Sequence, residues 1–300
     1  MLAPGTVVDR YVVDALIGRG GMARVYRVRH LNLGSVHALK VVEVPGEEVV
    51  ERFAREARSQ ARLRHPNVVS VTDFVDVDGL PGLVMEYVEG RSLDKELAAA
   101  PASMETLDIL FADVCSGVAA AHAVNLVHRD IKPANVLVTS VDGRPLAKVA
   151  DFGIVKVIGD SSGNPTLTRS ESTMGTPGYM APEQVFDAKR VDTRADIFSL
   201  GCLLYRMWCG VPPFQGDLRT VFTDVARGRY PAPETRVPNM PERYRQAIRR
   251  CLNPDRDARP ADVPALRAML GSKVEGLGSA PVAESVDATT RPAADFNSKA

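Results

Sequence analysis

The octad His128-Arg129-Asp130-Ile131-Lys132-Pro133-Ala134-Asn135 runs straight into the apolar triplet Val136-Leu137-Val138. Aspartate and asparagine in a loop are ordinary turn formers, because their short side chains bond nearby backbone. The whole string has a negligible chance origin in so short a chain: it sets a carboxylate, an ammonium group and a carboxamide in one loop ahead of an apolar strand. Sixteen residues past Asn135 stands Asp151-Phe152-Gly153, after Lys148-Val149-Ala150. Asp142-Gly143 lies between them and is hairpin turn chemistry. The stretch therefore reads as loop, strand, tight turn, strand, loop.

The text on either side differs in texture. Towards the N-terminus, Tyr11–Ile17, Ala23–Arg29 and Val36–Val44 are β-branched or alternating runs that predict strands. Glu47–Leu63 predicts a helix with Val50, Phe53, Ala54, Ala57 and Ala61 on one face, stopping before His65-Pro66-Asn67. Val68–Val77 and Leu83–Val88 predict two more strands around Asp78-Gly79. After Glu89-Gly90 the periodicity turns helical: Leu107–Ala123, Asp192–Trp208, Leu218–Arg227, Pro241–Leu252 and Val263–Leu270. The loop-dense stretch 125–183 is where chemistry is expected. The expected fold class is α+β, with a mainly antiparallel small lobe over 1–88 carrying one key helix and a larger helical lobe over 89–270. Residues 271–300, dominated by Gly, Ser, Ala, Pro and Thr, read as a disordered tail or linker.

Composition bounds the partners. Hydrophobic residues make up 45% of the 300 and charged ones 25%, the balance of an ordinary soluble globular protein. The 37 basic and 37 acidic side chains cancel, so no global field draws the chain to nucleic acid or anionic membrane. Cys115, Cys202, Cys209 and Cys251 show no metal or redox spacing and read as reduced core thiols. No signal pattern opens the sequence, and no apolar run is expected to reach the roughly 18 residues of a membrane span. The expected location is the cytoplasm, or the cytoplasmic part of a longer chain.

Near the N-terminus, Gly18-Arg19-Gly20-Gly21-Met22-Ala23-Arg24-Val25 is a glycine cluster. Without a Cβ, glycines let backbone N–H groups approach phosphate. A dinucleotide-binding reading needs a helix directly afterwards. Here Arg24–Arg29 alternates like a strand, so that reading fails, and a strand–turn–strand flap over a nucleotide takes its place.

Together these motifs resemble a Hanks-type serine/threonine protein kinase of the bacterial branch, over about residues 11–270. The resemblance implies a two-lobed fold holding ATP with Mg2+ (Mn2+ as the alternative) in its cleft, and protein hydroxyls as acceptors. It implies that Asp130 takes the proton of the substrate hydroxyl, Lys132 neutralises charge on the travelling phosphoryl group, and Thr176 bridges the two. Asn135 and Asp151 become the metal ligands. Lys40, in His37-Ala38-Leu39-Lys40, becomes the phosphate clamp, with Glu56 of the helix as its partner. Ile17, Gly18, Arg19, Gly20 and Gly21 form the flap. Val25, Ala38 and Leu137 cover the adenine faces, Met85 sits behind, and the backbone of Glu86 and Val88 meets the ring edge. Glu183 of Ala181-Pro182-Glu183 is expected to pair with Arg259, and Asp196 to brace the catalytic loop. Two positions depart from the family: Ala23 replaces a loop glycine, and Gln60 replaces an apolar residue that locks the helix.

The resemblance also implies control by phosphorylation. Arg129, Lys156 and Arg52 would form a basic pocket, and Thr166, Thr168 and Thr173 are the candidate acceptors, with a transient homodimer to serve them in trans. A pseudokinase is disfavoured because Lys40, Glu56, Asp130, Asn135 and Asp151 are all present; a small-molecule kinase is disfavoured by the threonine-rich segment ending in Ala-Pro-Glu.

Overall fold

The computed structural model describes residues 1–43, 47–99, 102–152, 177–186 and 191–271. Alternating apolar residues build an antiparallel six-stranded sheet from β1 (Val7–Val8), β2 (Tyr11–Arg19), β3 (Ala23–His30), β4 (Val36–Val42), β5 (Val71–Val77) and β6 (Leu80–Glu86). Their order is β1-β2-β3-β4-β6-β5. Strand periodicity divides β4 between two surfaces. Leu39 and Val41 join Val13, Tyr26, Val28 and Val84 in one core. Ala38 and Val42 join Phe53 and Ala57 of helix α1 (Glu47–Ala61) in another. Lys40 alternates with Leu39 and Val41, and so shares the side of Ala38 and Val42.

The bounds of β5 and β6 differ from the sequence reading. Val68 leaves the sheet and makes a parallel bridge to Val149, so β5 starts only at Val71. β6 begins earlier, at Leu80, and ends at Glu86, leaving Tyr87 and Val88 to carry the chain out of the sheet.

The second lobe is helical: α2 (Leu93–Ala99), α3 (Met104–Ala123), α4 (Pro182–Phe186), α5 (Thr193–Cys209), α6 (Leu218–Arg227), α7 (Pro233–Arg236), α8 (Glu242–Cys251) and α9 (Val263–Leu270). Capping sets their ends. Ser103, Asp192, Asp217 and Asp262 each accept a backbone N–H of the first turn, which starts α3 earlier than apolar periodicity suggested. Gly210, with φ 73°, closes α5 in the left-handed region that glycine enters without strain.

Helix α5 is the axis of the core, with Ile197, Phe198, Leu200, Leu203 and Leu204 all buried. Helix α3 is, by length and composition, long and apolar enough to cross a membrane, unlike the expectation that no such run is present. Here Leu110, Val114 and Val118 are packed inside the protein.

A small three-stranded sheet joins the lobes: β7 (Arg91–Ser92), β8 (Val136–Val141) and β9 (Arg144–Val149). Asp142 and Gly143 both have positive φ, 51° and 79°, as a two-residue hairpin turn of the expected kind requires. Val149 binds the loop after α1 on its outer edge. Its N–H donates to Asn67 O at 2.9 Å and its carbonyl accepts the Val69 N–H at 2.9 Å. Strand β9 thus delivers Asp151 to the boundary between the lobes.

Candidate active site

The loop before β8 is hung on one buried carboxylate. Asp196 of α5 is fully buried and accepts three bonds of 2.8 Å: from His128 N–H and His122 Nε2 on Oδ2, and from Arg129 N–H on Oδ1. Arg129 takes φ 64°, a left-handed conformation for a residue with a Cβ, and these bonds help to hold it there. Its carbonyl accepts Gln184 Nε2 at 2.7 Å. His128 serves from the inside: its ring contacts Phe152, Nε2 donates to Ala150 O at 3.0 Å, and Nδ1 accepts the Asp130 N–H at 3.2 Å. Burial lowers the proton affinity of this imidazole, which agrees with a neutral ring using one nitrogen as donor and the other as acceptor.

On this frame three side chains converge. Lys132 Nζ lies 2.8 Å from Asp130 Oδ2. Asn135 Nδ2 donates to the same Oδ2 at 2.9 Å and to Asp130 O at 2.8 Å. Spending the amide nitrogen on Asp130 leaves Asn135 Oδ1 as the end able to meet a cation. The Ala150 N–H donates to Asn135 O at 2.8 Å, which ties this loop to the one carrying Asp151.

Asp151 also has a left-handed backbone, φ 59°, and its Oδ1 receives Lys40 Nζ at 2.7 Å. This ion pair is one of the contacts that join the sheet of the first lobe to the end of β9. Carboxylate and amide oxygens are hard donors suited to Mg2+, which keeps several waters and shares phosphate oxygens. Among the described residues no cluster of three or more His, Cys, Asp or Glu side chains is present, so a cation here would depend on oxygens brought by a nucleotide. The donor set fits that arrangement.

The residues assigned to an adenine ring also gather. Ala38 and Met85 belong to one apolar cluster, with Val25, Val88 and Leu137 packed against it. Ala38 pairs with Met85 across β4 and β6. The Glu86 N–H donates to Ser70 O at 2.9 Å, which leaves its carbonyl as the backbone group for a ring edge. Above lies the glycine turn: Gly18 and Arg19 pair with Val25 and Arg24, and the Gly20 N–H donates to Ala23 O at 2.8 Å. Ile17 is half-exposed on β2 beside it. Ala23 has its Cβ in the buried cluster, so this departure from glycine is absorbed as core.

At the far side of the loop, Arg259 and Glu183 form the expected pair, with Arg259 3% exposed. Thr176, Thr166, Thr168, Thr173 and Lys156 lie outside the described residues, as do the side chains of Glu56 and Arg52. Gln60 is buried, and its Oε1 has no partner among the described residues. Sequence reasoning missed His122, Gln184 and the Glu86–Lys148 pair of 2.8 Å, each a single polar residue in text that looks like ordinary helix or strand.

Comparison with known proteins agrees with this geometry. A serine/threonine-protein kinase pkn3 of Myxococcus xanthus is 36% identical over 274 residues, covering 88% of this chain and 50% of that protein. The serine/threonine-protein kinase PknB of Mycobacterium tuberculosis is 37% identical over 225 residues, covering 72% of this chain and 35% of that protein. The chain thus spans half or less of the length of these relatives. Among solved structures, the Mycobacterium tuberculosis PknI kinase domain superposes with a TM-score of 0.70 at 28% identity, over 90% of this chain and 98% of that one. The protein kinase domain family matches residues 11–270, and the chain belongs to that family.

Proposed function

We propose that this chain is a serine/threonine protein kinase that binds ATP with Mg2+ between its lobes and transfers the γ-phosphoryl group to protein hydroxyls. The observation that carries the reading is the convergence of Lys132 and Asn135 on Asp130 Oδ2, with Lys40 and Asp151 paired beside them. The two donors orient the Asp130 carboxylate, which takes the proton of a serine or threonine hydroxyl. That oxygen bonds to the γ-phosphorus as the bond to the β-phosphate oxygen breaks, and ADP leaves. Lys132 stays next to the transferring group as charge moves through it. Lys40 is placed to hold the α- and β-phosphates, and Asn135 and Asp151 to hold Mg2+, which would neutralise phosphate charge. Such a site works by positioning and by fixed charge, with no covalent enzyme intermediate needed.

The apolar cluster around Ala38, Met85 and Leu137 supports an adenine ring, and the glycine turn supports a phosphate cover. The division at residues 88 and 89 follows the end of β6 and the change to helical text. We place the activity in the cytoplasm, with a transient homodimer for phosphorylation in trans within 153–176. The test is transfer of label from γ-labelled ATP to a generic protein. Label on serine or threonine that needs Mg2+, and is lost in Lys40→Met, agrees with the reading; label transfer untouched by Lys40→Met contradicts it.

A further inference from the structure

One buried acid takes no part in the site described above. Asp113, on α3, is fully buried and lies against the outer edge of β9. In the β8–β9 ladder, Ala147 turns its N–H and C=O away from β8. Two side chains take them: Asp113 Oδ2 accepts the Ala147 N–H at 3.0 Å, and Asn67 Nδ2 donates to Ala147 O at 3.0 Å. Asn67 is fully buried as well. Two residues on, the backbone of Asn67 and Val69 takes both polar groups of Val149. At Ala147 and Val149 this edge of β9 is therefore closed by α3 and by the loop that follows α1. The contact is close. A Cβ on Gly117, one turn beyond Asp113, would lie 2.4 Å from Asn67 O.

Burial disfavours the ionised form of this acid and outweighs the Ala147 N–H, Arg144 and the Asn67 side chain, which all favour it. Asp113 Oδ1 and Asn67 Oδ1 are both buried acceptors without a partner among the described residues. A proton on Asp113 Oδ1 would turn one of these orphan acceptors into a donor. Among the described residues no ion pair to the Asp113 carboxylate is found, and the cation that acts on it is Arg144 of β9. His65, at the start of the same loop, spends Nδ1 on the Asn67 N–H. Leaving a charge buried without a paired cation is costly, and a carboxyl group avoids the cost by keeping its proton.

We propose that Asp113 is a neutral carboxylic acid in the folded protein and a positioning residue for Asp151, acting through the backbone of β9. It fixes Ala147, four residues before Asp151, against α3, so the position of the cation-holding carboxylate is set from the core of the large lobe. This rests on the reading of Asp151 given above. The raised proton affinity that burial confers on Asp113 points the same way.

The sign of the pH effect follows. An acid that binds its proton more tightly when folded stabilises the protein fully below its unfolded value, near 3.8, and that contribution is lost as pH rises. Asp113→Asn has the shape and donor of the protonated acid but no proton to lose. The thermal midpoint of the wild type should fall relative to that of Asp113→Asn between pH 5 and pH 8.

The experiment uses the full chain and three readouts. The infrared difference between wild type and Asp113→Asn at pH 7 should contain one carboxylic-acid carbonyl band, and the midpoint gap should widen with pH. Asp113→Ala should raise the Mg2+ concentration for half-maximal label transfer several-fold, with KM for the protein substrate unchanged, whereas Asp113→Asn keeps the wild-type value. If Asp113→Ala is not recovered folded, Asn67→Ala, which removes the other side chain on Ala147, is measured with the same expectation. No acid band, or a gap that is constant with pH, overturns the neutral acid. An unchanged Mg2+ requirement in the alanine variant overturns the positioning role. Asp151→Asn serves as the control: wild-type Mg2+ dependence there would defeat the reading of Asp151 itself, while the band and the gap still decide the state of Asp113.

Discussion

Arg259 meets Glu183 as a two-pronged pair: NH1 to Oε1 at 2.7 Å and NH2 to Oε2 at 3.0 Å, with the guanidinium lying 5.0 Å from the centroid of the Phe198 ring. Its remaining donors go to the carbonyls of Asn253, Arg194 and Pro254. One side chain thus ties the helix after the 153–176 segment to α5 and to the loop before α9. Removing it strands a carboxylate and three carbonyls. Arg259→Ala should cost about 3–5 kcal/mol, as breaking a buried pair does. Thermal unfolding should show a shift of roughly 2–4 °C for each kcal/mol. Arg259→Lys should recover only part of it, because an ammonium group cannot make the forked contact. A midpoint unchanged in Arg259→Ala would contradict the pair's structural role.

His128 predicts an acid limit. Burial lowers its proton affinity below the usual 6.5, so the folded protein binds fewer protons at this ring than the unfolded chain does. Its stability contribution is complete above 6.5 and is lost as pH falls, by at most about 1.4 kcal/mol per pH unit. Asp113 acts in the opposite sense, so the profile is measured in the Asp113→Asn background. Denaturant midpoints there should fall from pH 7 to pH 5, and nitrogen NMR should show Nε2 protonated and Nδ1 bare throughout. An imidazole titrating near 6.5 would overturn the assignment.

Much of the fold was legible because its signals are local. Asp142-Gly143 announces its own turn, and the apolar spacing of Val263–Leu270 matches the helix found there. The His128–Asn135 loop was legible because its chemistry is packed into eight consecutive residues. The pieces that close β9 were not. Asp113 and Asn67 lie 34 and 80 residues from Ala147, and nothing in their neighbours marks them as a strand edge. Lys40 shows the same limit: its described partner is Asp151, 111 residues away, which the resemblance marks only as a metal ligand.

Control by phosphorylation gives a separate prediction. A phosphate on Thr166 or Thr168 adds about −1.5 to −2 charges opposite the expected basic pocket. Buried Gln60, whose Oε1 has no partner among the described residues, gives α1 a weaker anchor than an apolar residue would. Phosphatase treatment, or the Thr166→Ala/Thr168→Ala double variant, should therefore lower the rate toward an added protein substrate at least several-fold. Full rates in both would show that no such phosphate is needed.

In the proposed mechanism Asp130, held by Lys132 and Asn135, takes the substrate proton during phosphoryl transfer from ATP. Asp130→Asn keeps the size of the side chain and removes the base. Its transfer of label from γ-labelled MgATP to a protein substrate should fall at least about 10²-fold, the typical contribution of a positioned acid–base group. Circular dichroism and nucleotide-induced thermal shift should stay close to the wild type, showing that fold and nucleotide binding survive. Undiminished label transfer by Asp130→Asn would contradict the account.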